Sequence, residues 1–228
     1  VFFLPAKGAG GEGKVSMALL RDMADGAVYV WRSPGIRFLM LVLGMTGLFI
    51  RPFMELASGY ADVIFGMPEE ALGAILSTIG GGAMLSCLWL ARRGRTEGLT
   101  RLCTHSFALL ALALLVFTFI DNLLVAVLPL FLIGFLMLVT GTAAQSLIQN
   151  AAGAEMRARA LSFFILLNWG MPAFGALLAG WVSSMIGMQQ TIAGGAVIAL
   201  VFWLWAHRQG RLYVDQLETE KAPEKKLA

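Results

Sequence analysis

Sixteen of the seventeen lysines and arginines stand in every second gap between long apolar segments. Lys7, Lys14, Arg21, Arg32 and Arg37 precede or open the first segment. Arg92, Arg93, Arg95 and Arg101 share a later gap, Arg157 and Arg159 another, and Arg208, Arg211, Lys221, Lys225 and Lys226 the tail. The intervening gaps, around 58–69, 121–122 and 187–190, hold no cation. A cation at the centre of a membrane helix costs roughly 2.5–3.5 kcal/mol on insertion scales, and loops rich in Lys and Arg stay on the cytoplasmic side. Such alternation is the pattern of a chain that crosses a bilayer repeatedly with both ends in the cytoplasm. One cation breaks the rule by standing inside a segment: Arg51.

Six segments have the length of about 20 residues that a membrane helix needs: 36–57, 70–91, 102–120, 123–149, 160–186 and 189–207. They are too long and too continuous for barrel strands of about 9–11 residues. The chain is 58% hydrophobic and 14% charged, against about 45–50% and 25% for soluble domains. These figures predict an all-α membrane protein, a six-transmembrane-helix bundle. The net charge of +3 is expected to meet anionic headgroups of the lipid bilayer rather than nucleic acid. Cys87 and Cys103 form no CxxC pair and read as packing residues, so neither metal nor cofactor is expected.

Three regions are expected. Residues 1–35 read as a cytoplasmic linker, glycine-rich at Gly8, Gly10, Gly11 and Gly13, then an amphipathic surface helix. Residues 36–208 are the bundle and 209–228 a polar tail. Val1-Phe2-Phe3-Leu4-Pro5 reads as the last turn of a preceding helix, and the chain as the back part of a longer protein.

Polarity is uneven among the segments. The third and sixth look lipid-facing, the third through its aliphatic run from Phe107 to Phe117. The first, second, fourth and fifth carry the polar and helix-disturbing residues and are expected to surround an interior. Arg51 and Glu55 lie four apart and share a helix face, with the kinking Pro52 between them. Two readings stand: a mutual ion pair near the outer interface, or a functional pair in which Glu55 exchanges protons or Arg51 holds an anionic substrate. Gln145 and Asn168 either bond each other or line a wet cavity. Trp169 either packs between helices or offers a stacking face, and His105 is expected to bond locally near the inner face. Small residues at Gly73, Ser77 and Gly81, at Ala176, Gly180 and Ser184, and at Gly195 and Ala199 suit close helix contacts. Gly80-Gly81-Gly82, Pro52 and Pro172 are candidate hinges.

Three stretches carry a family resemblance. Tyr29-Val30-Trp31-Arg32-Ser33-Pro34 is similar to the entry into helix seven of exporter-like major facilitator superfamily members. Ala91-Arg92-Arg93-Gly94-Arg95 resembles the superfamily's D-R-x-G-R loop signature in its second-half copy, with Ala91 at the Asp position, which calls an acid-mediated lock into question here. Arg157-Ala158-Arg159-Ala160-Leu161-Ser162, followed by Pro172, Gly175, Gly180 and Gly187, is similar to helix eleven of the enterobactin and macrolide exporter branch. The resemblance implies the C-terminal half, helices seven to twelve, built as two inverted three-helix repeats and partnered by a missing N-terminal six-helix half. It implies a secondary transporter in a bacterial inner membrane, exporting a small amphipathic organic molecule by alternating access, driven by a proton gradient. Helices seven, eight, ten and eleven of such a fold line its cavity, and Arg92, Arg93, Arg95, Arg157 and Arg159 would latch the inner gate. The alternative is a stand-alone or truncated six-helix scaffold without transport. An intramembrane serine protease would need a Gly-x-Ser-x-Gly elbow, which the sequence lacks. Single cysteines placed at 66 and 188 in a background free of native cysteine should label from outside intact cells, and those at 96 and 155 only after permeabilisation; the reverse pattern contradicts the orientation.

Overall fold

Prolines, glycines and one asparagine punctuate the apolar segments, and the helices begin and end on them. The computed structural model describes residues 30–94, 97–152, 156–213 and 217. The expected surface helix before residue 30, Arg95 and the tail from 218 lie outside the described residues. Six helices are long and apolar enough to cross a membrane: α1 Pro34–Val63, α2 Pro68–Arg93, α3 Leu99–Phe117, α4 Leu123–Ala151, α5 Arg157–Ile186 and α6 Met188–Leu212. No strand occurs among the described residues. The chain is an all-α membrane bundle.

Pro34 and Pro68 sit in the first turns of α1 and α2, where a missing N–H costs nothing. The Asn122 side chain accepts from the amides of Leu124 at 2.9 Å and Val125 at 3.4 Å and so caps α4. Gly94, in the left-handed region at φ 54°, ends α2; this explains why the loop signature needs glycine there. Gly187, at φ 89°, is the whole link between α5 and α6. One end of the bundle carries Arg37, Arg92, Arg101 and Arg208, the other Asp62, Glu69, Glu70 and Asp121.

Two expectations need correction. The gap placed at 58–69 is mostly helix, because α1 runs on to Val63 with Ala57, Tyr60 and Ala61 fully buried. Tyr60 and Phe53 from α1 pack around Phe117 of α3, with ring centroids 4.9 and 5.0 Å away. The third segment is not mainly lipid-facing either. Phe107, Leu110, Ala111, Leu114 and Phe117 are buried against neighbouring helices, while Leu109, Leu112 and Val116 stay exposed. Its main partners are α4 and α6.

The closest helix crossing joins α2 to α4. A Cβ on Gly82 would strike the carbonyl of Phe131, and one on Gly134 would strike the carbonyl of Ile79. Each glycine thus admits the other helix's backbone, which apolar packing in lipid rewards. Gly80, in contrast, has nothing within 4 Å of the Cβ position and is exposed. At the acidic end, Gln189 Nε2 donates to Asp121 Oδ1 at 3.1 Å, tying the α3–α4 and α5–α6 turns together. Gly134→Val should destabilise the bundle by about 3 kcal/mol or more, the upper end of overpacking costs, or prevent folding. Gly80→Ala should be neutral or stabilise by up to about 1 kcal/mol through helix propensity. Thermal melts in detergent compare the two.

Candidate functional site

Pro172 has no N–H, so the carbonyl of Asn168, four residues back in α5, receives no hydrogen bond from it. In lipid such a carbonyl must find a donor elsewhere. The donor is Arg51: its Nη1 donates to Asn168 O at 2.7 Å and to Asn168 Oδ1 at 2.9 Å. The guanidinium carbon also stands 5.8 Å from the centroid of the Trp169 ring, within cation–π range.

Pro52 acts in α1 as Pro172 does in α5. It withholds an N–H from Leu48 O, and the helix widens just before it into a π-helical stretch, Thr46–Ile50. Arg51 N–H donates five residues back, to Thr46 O at 2.9 Å, rather than to Gly47 O. The carbonyls of Leu48 and Gly47 face Gly175 of α5, where a Cβ would lie 2.6 and 3.0 Å from them. A Cβ on Gly47 would in turn lie 2.8 Å from Met171 Cβ and 3.2 Å from Pro172 Cδ. α6 joins the same stretch, with Gly195 set against Phe49 O. Both prolines, two glycines and the stray cation therefore form one crossing of α1 and α5.

Beside that crossing lies a cavity of about 250 Å³. Its lining includes Thr46 and Arg51 of α1, Ala83 of α2, Gln145 of α4 and Asn168 of α5. These are the four helices whose polarity marked them as the walls of an interior.

The sequence candidates separate here. Arg51, Gln145 and Asn168 come together on the cavity wall. Glu55 and Trp169 lie outside that lining, and both are exposed. The expected Arg51–Glu55 ion pair does not form: Arg51 reaches across to α5, where two oxygens of one residue offer a better-fixed acceptor. Arg51 sits about 18 Å short of the end of α1 at 1.5 Å per residue. Asn168 Oδ1 accepts from Arg51 instead of pairing with Gln145. Gly81 lies beside the packed Gly82 and meets only Phe131 Cε2, at 3.9 Å.

The arginines of the basic end behave differently from one another. Arg93 folds back on its own loop, Nη2 donating to Glu97 O at 3.1 Å. Arg159 Nη1 lies 3.8 Å from Met156 Sδ, while Arg92 and Arg157 are exposed. His105 Nδ1 pairs with Arg101 O at 2.7 Å, a local bond. Its ring meets that of His207 edge to face at 5.3 Å. Cys103 is buried with Thr140 O 3.7 Å from its sulfur, but Cys87 is exposed and fills no core.

A family model described as transmembrane secretion effector, of the major facilitator kind, matches residues 16–227. The chain belongs to the transmembrane secretion effector family. No curated protein and no solved structure matches it.

Thr46, Gly47, Gly134 and Gly141 also line the cavity. Sequence inspection passed over them because glycines and a lone threonine in a membrane helix usually mark packing. The usable signal was the offset of four from each proline, which points to Leu48 and Asn168. Arg51→Met and Pro172→Ala should be energetically coupled although the two side chains do not touch, because alanine returns an N–H to Asn168 O. A double-mutant cycle in detergent should give about 0.5–3 kcal/mol of coupling; additivity within about 0.3 kcal/mol contradicts the arrangement.

Proposed function

We propose that this chain is one half of a secondary transporter that exports a small amphipathic organic molecule by alternating access, driven by protons. The observation that carries the reading is a membrane-embedded cavity at the meeting of four helices with a cation on its wall. The guanidinium costs roughly 2.5–3.5 kcal/mol inside a membrane helix, and its bonds to Asn168 use Nη1 alone, which leaves the rest of its donors for a substrate. A transport site needs such a polar anchor.

Roles follow for the named residues. Arg51, Gln145 and Asn168 contact the substrate. Trp169, exposed beside Arg51, shields the cation or stacks on the substrate's flat part. Glu55, exposed one turn beyond Arg51, carries the proton. Pro52 and Pro172 give α1 and α5 weak points in their hydrogen-bond ladders where they can bend. Gly80 and Gly81 leave α2 pliant, with Gly82 as the fixed contact. Arg92, Arg93, Arg95, Arg157 and Arg159 close the inner gate against the second half.

That partner is an N-terminal six-helix bundle. In α5 only 17% of the most apolar stretch is buried, against 61% in α1, which leaves α5 a broad free face to meet it. The reading places the chain in a bacterial inner membrane with both termini in the cytoplasm, an orientation that the alternation of the cations supports.

Glu55→Gln in the full-length transporter, reconstituted in vesicles, should abolish or flatten the dependence of transport on pH. Proton coupling that survives the substitution removes Glu55 as the carrier.

A further inference from the structure

We infer that the cavity recognises the anionic group of an organic molecule, with Arg51 as its counter-ion. This deepens the transport proposal and rests on its reading of the cavity as the substrate's path.

The first argument is charge. Within the apolar interiors of the six helices the only acid is Glu55, and it forms no ion pair with Arg51. The remaining described acids stand at or beyond helix ends: Asp62, Glu69, Glu70, Glu97 and Asp121. Arg51 therefore faces the cavity as a cation whose contacts are neutral, the amide residue Asn168 and the Trp169 ring. Arg51 is half-buried, and Glu55 one turn away acts on it only through space, without an ion pair, which leaves the guanidinium able to take an anion from the cavity side.

The second argument is geometry. Both hydrogen bonds to Asn168 use Nη1. Nε and Nη2 make no bond to the described residues, so one edge of the guanidinium is free. That edge is a two-pronged donor that matches a carboxylate, sulfonate or phosphate. Asn168 and Trp169 hold the group from the α5 side, which fixes the direction of the fork before anything binds.

The third argument is the wall. Leu43, Met137, Leu138 and Phe164 supply apolar lining, and Gln145 adds an amide that can donate to a second oxygen. The volume of about 250 Å³ falls below the roughly 300–1,000 Å³ of drug-sized sites. It suits the charged head of an amphiphile and a short apolar portion, with the remainder projecting outward. Two sources share this chemistry: a free organic anion and an anionic lipid headgroup. The assignment is to the free anion.

A matched pair of fluorescent probes tests it: anilinonaphthalene sulfonate and its neutral counterpart phenylnaphthylamine, with the chain in phosphatidylcholine nanodiscs. The sulfonate should bind at least about tenfold more tightly than the neutral probe. Arg51→Gln should erase that preference by weakening the sulfonate far more than phenylnaphthylamine, with a thermal melt in the same nanodiscs reporting that the bundle stays folded. Arg51→Lys should recover part of it, since lysine keeps the charge but loses the fork. Equal affinity for both probes, or a preference that survives Arg51→Gln, overturns the proposal. Adding phosphatidylglycerol separates the sources. Unchanged sulfonate affinity supports the free anion; displacement in the unsubstituted chain alone gives the site to lipid and overturns the assignment. Failed vesicle transport with the sulfonate preference intact would count against the transport reading and leave the anion site standing. Transport without the preference would do the opposite.

Discussion

The carbonyl of Asn168 has no amide of its own helix to accept from, because the residue four further on is Pro172. In water that defect would be trivial. In hydrocarbon an unsatisfied backbone group costs several kcal/mol, and so does a lone guanidinium. Arg51 and Asn168 relieve each other's penalty, and a hydrogen bond to a charged group is worth about 1.5–3 kcal/mol. This exchange fixes where α5 lies against α1, and hence where the cavity opens.

The π-helical stretch of α1 belongs to the same economy of backbone groups. Pro52 removes one donor and the register shift moves another, and the carbonyls so released turn toward Gly175, where no side chain blocks them. Weak Cα–H contacts to such oxygens are common where helices cross closely. Substituting a bulkier residue at Gly47 or Gly175 would separate the helices that carry the cation and its acceptor. The bundle thus holds its polar centre through glycine fit rather than through an ion pair.

Much of this was legible in the amino-acid sequence. The number of crossings followed from apolar length and from the position of each cation, because both are set by the cost of moving charge and peptide groups into oil. The polar helices were identified correctly as the cavity walls. Of the two readings open for Arg51, the ion pair with Glu55 rests on the spacing of four that governs neighbours on one helix, whereas its hydrogen bonds go to Asn168 of α5. The rule that Pro172 frees Asn168 was readable and would have directed the search across to α5. The burial of α3 was not readable: lipid and protein core both accept Phe107, Leu110 and Leu114, so apolarity alone cannot tell them apart. Nor could the three glycines of α2 be distinguished by sequence, since only Gly82 meets a neighbouring backbone.

The glycine crossing of α2 and α4 has a mechanical corollary. With main chain seated against main chain on both sides, the two helices cannot slide along each other without one carbonyl riding over the other's Cα. They form a stiff plank. Any breathing of the cavity must then come from the opposite wall, where α5 is fastened by a guanidinium and a few glycine contacts. The most movable side of the bundle is therefore the one that holds the charge.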